Sequence, residues 1–256
     1  MTTNTSSKSK KERKVKTILV SQPKPERSPY YKLEKKWDLK IDWRPFIHVE
    51  PVTEKEFRRL RIRPEEFSSI IFTSNYAIEH FFSICEMMRS KMSQNTKYFC
   101  LTESIANYLQ KFIVYRKRKV FVGKRKIQDL STALNKHKAT ENFLLPCSNL
   151  GKKDVCAYLD EHEFNYREAM MYKTVSSDLS DLSDITYDVL IFFSPLGIKS
   201  LYDNFPDFTQ NKTRLAVFGK STLRAVEEKG LTINIMPTPD NPSMAMALDS
   251  YLELTK

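Results

Sequence analysis

Short runs of β-branched and aromatic residues alternate along the chain with longer segments whose apolar residues recur at helical spacing. The predicted strands are Thr17–Val20, Ser69–Thr73, Lys97–Leu101, Asn142–Leu145, Val189–Phe193 and Arg214–Phe218. The predicted helices are Tyr76–Met88, Ser104–Lys111, Lys152–Asp160, Thr222–Lys229 and Pro242–Leu254. Because strands such as Val189–Phe193 are apolar throughout, they suit parallel sheets that helices cover on both faces. The pattern therefore predicts an α/β protein.

Several of these segments recur in the same order in the two halves of the chain. Ile71–Ser74 resembles Ile191–Ser194 at an offset of 120 residues, and Ile18–Gln22 resembles Phe143–Cys147 at an offset of 125 residues. The predicted strand that follows each member of the first pair also recurs. Because both the order and the spacing are kept, the sequence predicts the duplication of one α/β domain.

The formal net charge of +11 is concentrated in two segments. Met1–Lys16 contributes +5 and Tyr115–Lys126 contributes +7, which leaves −1 for the other residues. Such segments can contact phosphates or an anionic membrane, but neither interleaves aromatic residues as a base-stacking surface does. We therefore interpret them as a solvated tail and a solvated turn. We expect a monomer with no nucleic-acid partner and no membrane contact.

The absence of several sequence motifs argues against further types of binding site. The five glycines form neither a GxGxxG nor a P-loop pattern, which argues against a nucleotide site. The four cysteines form no CxxC pair and the four histidines form no HExxH pattern, so we expect no metal site. No apolar run is long enough to span a bilayer, and residues 1–16 lack the apolar stretch of a secretory signal. The expectation is a cytoplasmic protein without a cofactor.

Hydroxyl side chains follow the predicted strands, at or near the predicted helix starts. They are Ser74, Ser104, Ser148, Ser194, Ser221 and Thr222. Each suits the capping of a helix N-terminus. Helix starts beyond the carboxyl ends of a parallel sheet also bind anions through free backbone N–H groups. For any single residue, capping is the stronger interpretation. For the whole set, an anion-binding cleft between two such domains is at least as strong an interpretation as capping.

Six short motifs support a more specific interpretation. They are Ile71–Ser74, Leu145–Leu150, Tyr172–Val175, Phe192–Pro195, Phe218–Thr222 and Pro242–Met244. Together, in this order and over nearly all of Lys16–Leu254, they resemble the uroporphyrinogen-III synthase family. The sequence departs from the pattern of that family at Gln22, Leu101 and Leu196.

The resemblance implies two flavodoxin-like parallel-sheet lobes joined by a two-stranded β linker. Lobe 1 would contain residues 17–47 and 174–256 and lobe 2 residues 48–173, after a basic disordered tail over residues 1–16. The linker crossings are expected near Pro45–Val49 and Met171–Thr174. The implied activity is that of a hydro-lyase, which closes hydroxymethylbilane, a linear tetrapyrrole with eight carboxylates, to uroporphyrinogen III. This reaction inverts ring D, releases water and needs no cofactor.

The resemblance and the helix starts together give the candidate site residues. Tyr172 lies at an expected crossing and matches the tyrosine of the family, so its phenol is the candidate donor to the departing hydroxyl. The predicted substrate-binding residues are Ser74, Ser104, Ser148, Ser194, Gly197, Lys220, Ser221 and Thr222. Two other functions stay open. One is a two-lobed protein that binds a small anion without turnover, and the other is a nucleic-acid-binding protein that uses the two basic segments.

Overall fold

The computed structural model describes residues 14–182 and 186–255. They form two compact units. The inserted unit is Val49–Thr174, and the discontinuous unit consists of the described residues up to His48 and from Val175 onward. Most of the predicted tail, residues 1–13, lies outside the described part of the chain. Val15, which the sequence placed in that tail, is 2% exposed and belongs to the core of the discontinuous unit.

The described residues contain eleven strands and nine α-helices. The strands are β1 (Thr17–Val20), β2 (Lys40–Trp43), β3 (Ile47–Pro51), β4 (Ser69–Phe72), β5 (Lys97–Cys100), β6 (Val120–Val122), β7 (Phe143–Ser148), β8 (Tyr166–Ser176), β9 (Val189–Phe192), β10 (Arg214–Val217) and β11 (Ile233–Ile235). The helices are α1 (Tyr30–Trp37), α2 (Glu54–Arg59), α3 (Asn75–Met87), α4 (Glu103–Leu109), α5 (Ser131–His137), α6 (Lys153–Glu161), α7 (Pro195–Asn204), α8 (Lys220–Glu227) and α9 (Met244–Leu254). None of these helices is long and apolar enough to cross a membrane.

Each unit is built on its own sheet. The strand order in the discontinuous unit is β11–β10–β9–β1–β2, and every pair is parallel. Renumbered within that unit, the order is the one found in flavodoxin-like folds. The strand order in the inserted unit is β3–β8–β7–β4–β5–β6, and the pairs from β8 to β6 are parallel. The predicted α/β class with two parallel-sheet lobes is confirmed.

The strand pairing also confirms the internal duplication. Ile18 of β1 pairs with Ile41 of β2, and Phe143 of β7 pairs with Tyr166 of β8. The partner lies the same number of residues further along the chain in both cases. On its other side β1 pairs with β9, and β7 pairs with β4, the repeat counterpart of β9. Each sheet therefore combines the first two strands of one copy with the later strands of the other copy.

The central strands of the discontinuous unit, β1, β9 and β10, are buried on both faces. Ile18 and Val20 belong to one apolar cluster together with Leu248 of α9, whereas Leu19 belongs to a second cluster with Ile198 of α7. Successive side chains of a strand point to opposite faces of the sheet. Helices therefore cover both faces, as the continuous apolar strands predict.

Three helices, α3, α4 and α8, begin earlier than predicted, and α3 does so by one residue. Helix α4 begins before Ser104 because Thr102 is its N-cap: the Thr102 hydroxyl accepts a hydrogen bond from Ile105 N–H at 3.3 Å. Helix α8 begins directly after Gly219, two residues before the predicted start. Gly219 has a φ of 86°, in the left-handed region that favours glycine, so the chain turns into the helix at this residue.

The stretches expected to cross between lobes lie on β3 and β8. These strands are neighbours at one edge of the inserted unit's sheet. Beside them, Val52 N–H donates a hydrogen bond to Met171 O at 3.1 Å. The expected crossing at Pro45–Val49 therefore falls partly on β3, and the one at Met171–Thr174 falls within β8. Residues 47–49 of the first stretch and all of the second stretch are therefore in strand conformation.

Glu141 lies at the amino edge of the inserted unit's sheet, where it contacts residues at the starts of neighbouring strands. It precedes β7 by two residues and is 9% exposed. It accepts a hydrogen bond from Ser69 Oγ at 2.9 Å and forms an ion pair with Lys97. Burial alone would raise the pKa of this carboxyl, but the hydrogen bonds from Lys97, Ser68 and Ser69 outweigh burial and hold the pKa below its usual range.

Replacing Glu141 by Gln is expected to destabilise the protein at neutral pH by about 1–3 kcal/mol, because hydrogen-bonded partners lose their buried carboxylate. A lowered carboxyl pKa stabilises the fold above its unfolded value of about 4.3, and this contribution is lost as the pH falls through the folded pKa. Urea unfolding at pH 7 should therefore show a larger Glu141→Gln effect than unfolding near pH 3–4. Glu86→Gln removes an exposed carboxylate of the same unit and serves as the control. An equal loss at both pH values would contradict this account.

Candidate functional site

Helix N-termini stand beyond the carboxyl ends of parallel strands in each unit. Ser74 lies between β4 and α3, and its hydroxyl accepts a hydrogen bond from Ala77 N–H at 3.1 Å. Ser194 lies between β9 and α7, and its hydroxyl accepts a hydrogen bond from Gly197 N–H at 3.3 Å. The two serines are therefore repeat-related N-caps. The remaining free N–H groups of each first turn point beyond the strand end, where the helix dipole favours an anion.

Tyr172 lies on β8 and contacts the Ser74 cap directly. Its phenolic oxygen is 3.2 Å from Ser74 Oγ, and its side chain is buried, with 8% exposed. The register of β7 against β8 shifts between Cys147 and Ser148, so that Ser148 pairs with Tyr172. This irregularity sets the position of Tyr172 against the neighbouring strand. The sequence-predicted Tyr172 and Ser74 are thus brought together within the inserted unit.

The hydrogen bonding of Ser74 bears on the phenolic proton of Tyr172. Ser74 Oγ already accepts the N–H of Ala77, and it keeps one O–H donor of its own. When Ser74 donates that proton to Tyr172 Oη, the phenolic proton of Tyr172 is free for a ligand. When Tyr172 donates instead, the phenolic proton is held by Ser74. The pair therefore has two hydrogen-bonding states, and only the first one presents a proton donor.

Two aromatic residues of α3 that the motif analysis did not single out complete the surroundings of Tyr172. The His80 ring stacks on the Tyr172 ring with a centroid distance of 5.1 Å and an interplanar angle of 23°. Tyr76 lies one turn earlier on α3, with its ring centroid 6.1 Å from that of Tyr172, and is 54% exposed. Burial lowers the pKa of His80 and Glu79 opposes this, with a net lowering. His80 therefore packs on the phenol as a neutral ring at pH 7.

The loop after β7 fixes the end of β8 that carries Tyr172. Asn149 N–H donates a hydrogen bond to Tyr172 O at 3.2 Å. The Asn149 side chain donates to Thr174 O at 3.2 Å and accepts from Thr174 N–H at 2.9 Å. In the same loop, Ser148 Oγ accepts a hydrogen bond from Leu150 N–H at 3.2 Å. The hydroxyl of the sequence-predicted Ser148 therefore stabilises the turn that holds Asn149 in place.

The predicted substrate-binding residues at the start of α8 differ in their exposure. Lys220 and Ser221 are exposed in the first turn, directly after Gly219. Lys220 forms no ion pair within residues 14–182 and 186–255. Thr222 is 0% exposed, and its hydroxyl has no hydrogen-bond partner within the described part of the chain. Because α8 begins two residues earlier than predicted, Thr222 faces the core, and its hydroxyl does not reach the surface in this structure.

The other predicted residues differ in what they contact. Ser104 is exposed in the first turn of α4, where Thr102 has taken the capping position. Gly197 is buried in the first turn of α7. A Cβ at Gly197 would lie 3.0 Å from Cδ1 of Phe192, which is itself fully buried. Packing against Phe192 therefore accounts for glycine at this position.

Gly197→Ala is expected to lower the free energy of unfolding by about 1–3 kcal/mol, because the Phe192 ring must shift within a filled core. Thermal or urea unfolding measures this change. Phe192→Leu in the Gly197→Ala background should recover part of the loss, since it removes the ring that the methyl group meets. If Gly197→Ala is neutral, the packing explanation for this glycine is wrong.

The buried cysteines and the metal-binding residue types are further candidates for reactive groups. Burial raises the pKa of the Cys85, Cys100 and Cys147 thiols to about 12, so they are not thiolate nucleophiles at neutral pH. Within the described ranges, no three side chains from His, Cys, Asp and Glu come close enough together to hold a metal ion.

Comparison with known proteins points to one family. The model of the family described as uroporphyrinogen-III synthase HemD matches residues 38–246. A uroporphyrinogen-III synthase of Chlorobaculum parvum is 23% identical over 255 residues, which cover 93% of this chain and 100% of that protein.

Solved structures show the same fold. A uroporphyrinogen-III synthetase of Helicobacter pylori has a TM-score of 0.59 and 19% identity, covering 93% of this chain and 99% of that chain. A mutant uroporphyrinogen III synthase of Thermus thermophilus has a TM-score of 0.55 and 13% identity, with the same two coverages. At these identities the likeness shows a shared two-lobed α/β fold.

Proposed function

The chain belongs to the uroporphyrinogen-III synthase family, and we propose that it converts hydroxymethylbilane to uroporphyrinogen III with inversion of ring D and loss of water. The observation that carries the proposal is the Tyr172 phenol, hydrogen-bonded at 3.2 Å to the N-cap of α3. It places a proton donor beside a helix start that favours anions. A substrate with eight carboxylates and a departing hydroxyl needs both features.

Binding of the substrate rests on backbone N–H groups. The first turns of α3, α7 and α8 each leave N–H donors that no helical carbonyl accepts, and the helix dipole adds partial positive charge there. Lys220 adds a full positive charge at the start of α8. In each unit these groups favour the binding of substrate carboxylates at its own helix starts.

Loss of water begins at the hydroxymethyl group. The pyrrole nitrogen lone pair expels the hydroxyl while Tyr172 donates its phenolic proton to it, so the C–O bond breaks and water leaves. The resulting azafulvene is attacked by the substituted carbon of ring D, which gives a spiro intermediate. Breakage and reclosure of the spiro centre invert ring D. The proton lost from the ring D carbon at the final bond restores the phenol, so the net change is the loss of one water.

The neighbours of Tyr172 support this role. Donation from Ser74 to Tyr172 Oη leaves the phenolic proton for the substrate and stabilises negative charge as it develops on the oxygen. His80 packs as a neutral ring and fixes the plane of the phenol. Asn149 holds the backbone of Tyr172 and Thr174, which keeps the hydroxyl in reach of Ser74.

The proposal is tested by incubating the purified, dialysed and chelator-treated protein with hydroxymethylbilane. We expect substrate loss well above the spontaneous rate without any added metal or nucleotide. A protein that binds the substrate but leaves its rate of loss unchanged would instead be the anion-binding protein considered from the sequence. Activity that returns only after addition of a metal or nucleotide would contradict the cofactor-free part of the proposal.

Lys220→Gln is expected to raise KM by about 3- to 10-fold and to leave kcat nearly unchanged, because one charged contact to a carboxylate is lost. The matched control is Lys212→Gln, which removes an exposed lysine of the same unit away from the helix starts. Steady-state kinetics at low and moderate salt measure both. An equal rise in KM for the two variants would show that general charge attraction, rather than contact at α8, is responsible.

We also propose that the protein acts in the cytoplasm as a monomer and without a nucleic-acid partner. The composition bears on the last of these points: outside the two basic segments the net charge is −1, which argues against nucleic-acid binding.

A further inference from the structure

The inserted unit contains a cavity at the end of its sheet opposite to Ser74. The cavity has a volume of about 430 Å³ and is formed by the second half of α3, the start of β5 and the segment from Phe112 to Val120. Ser74 follows the carboxyl end of β4, whereas Thr96 and Lys97 lie at the amino end of the parallel strand β5. The volume falls within the range of about 300–1,000 Å³ that small-molecule sites have.

Aromatic and aliphatic side chains form the walls of the cavity. The Phe82 and Phe112 rings are stacked, with a centroid distance of 5.0 Å and an interplanar angle of 10°. Tyr98 and Met92 contribute further apolar surface, and Val114 is 82% exposed at the margin. Such a lining suits a flat apolar body rather than a highly charged one.

Three cations line the same cavity without an acidic partner. Lys91, Arg116 and Lys119 take part in no ion pair within the described residues. Lys119 donates to Asn95 Oδ1 at 2.8 Å and also to Gln94 O, which fixes its ammonium group. Partial burial lowers the pKa of Lys119, and the nearby positive charges act in the same direction. A bound anion would relieve this repulsion.

A threonine with a buried hydroxyl lies at the amino end of β5 beside the cavity. Thr96 lines the cavity, is 2% exposed, and its hydroxyl has no hydrogen-bond partner within the described part of the chain. Buried polar groups without partners are uncommon in native folds. The combination of apolar walls and cations without acidic partners is typical of a binding site for an amphipathic anion.

We propose that this cavity binds a small carboxylate with a flat apolar body. The apolar body packs on Phe82 and Phe112, and the carboxylate accepts hydrogen bonds from Arg116 and Lys119. The site is separate from the Tyr172 site, because its residues lie at the other end of the sheet. It also gives a role to part of the basic segment Tyr115–Lys126 that the proposed reaction does not use.

Calorimetric titration of the full chain with naphthoate tests this proposal. We expect saturable binding, and the neutral isostere naphthalenemethanol should bind at least about tenfold more weakly because it lacks the charged contact. Arg116→Gln should weaken naphthoate binding by about tenfold or more. Lys117→Gln is the matched control, since it removes the neighbouring exposed charge of the same segment but does not line the cavity. It should change the affinity less than about twofold.

The apolar contact is tested separately. Phe112→Ala should weaken binding several-fold, and Phe112→Leu provides a milder variant if the first one unfolds. Tyr172→Phe and Ser74→Ala should leave naphthoate binding unchanged, so this result does not depend on the proposed reaction. The proposal is overturned by an absence of binding, by equal binding of the alcohol, or by equal effects of Arg116→Gln and Lys117→Gln.

Discussion

Tyr172→Phe is expected to lower kcat about 10²-fold, the size typical of the loss of a general acid. The substitution removes only the phenolic O–H and keeps the ring that stacks on His80. KM should change little, because the hydrogen bond strengthens mainly as the C–O bond breaks. The stability should stay close to that of the unmodified protein, since nearly all of the buried ring area is retained.

Tyr76→Phe is the matched control for this experiment. Tyr76 belongs to the same aromatic group but is 54% exposed, and its hydroxyl makes no hydrogen bond to Ser74. Steady-state kinetics should therefore separate the two variants, with kcat lowered only in Tyr172→Phe. Full activity of a folded Tyr172→Phe protein would remove the phenol from the mechanism and leave orientation by backbone N–H groups as the source of catalysis.

Ser74→Ala and Ser194→Ala are expected to differ in catalysis but not in stability. Both serines cap a helix by accepting a hydrogen bond from the third residue after them, so each substitution should cost about 1 kcal/mol of unfolding free energy. Only Ser74 also contacts Tyr172 Oη. Loss of its hydrogen bond to the phenol should lower kcat by about tenfold in Ser74→Ala alone.

This comparison needs both measurements on each variant. Thermal unfolding reports the cap, and kcat reports the contact with the phenol. Equal decreases in kcat for the two variants would mean that capping, rather than the hydrogen bond between Ser74 and Tyr172, explains the effect of both serines.

The central strands could be predicted because burial leaves a strong pattern. Val189–Phe193 is apolar throughout, and the structure places β9 at Val189–Phe192 in the middle of its sheet. The strand β6 was missed because its three residues lie inside the basic segment Tyr115–Lys126. The charged residues on both sides leave too short an apolar run to predict a strand. The edge strands β2 and β11 were missed because they are only partly buried, so their apolar pattern is weaker.

The candidate site could be predicted only in part. A hydroxyl between a strand and a helix is a local signal, so the N-cap positions of Ser74 and Ser194 could be predicted. Thr222 was grouped with these serines because the predicted start of α8 lies two residues too late. In the structure, Thr222 is a core residue of α8. The stack of His80 on Tyr172 joins residues far apart in the sequence, and no local pattern reports such a contact. The four-residue spacing of Tyr76 and His80 shows only that they share a face of α3.

The ratio of type III to type I uroporphyrinogen formed from hydroxymethylbilane tests the central claim most directly. Cyclisation without control of ring D gives the type I isomer, whereas inversion of ring D gives type III. With increasing amounts of the protein, chromatography of the products should show type III replacing type I until it is nearly the whole product. A product that stays type I at every protein concentration would contradict the proposed function.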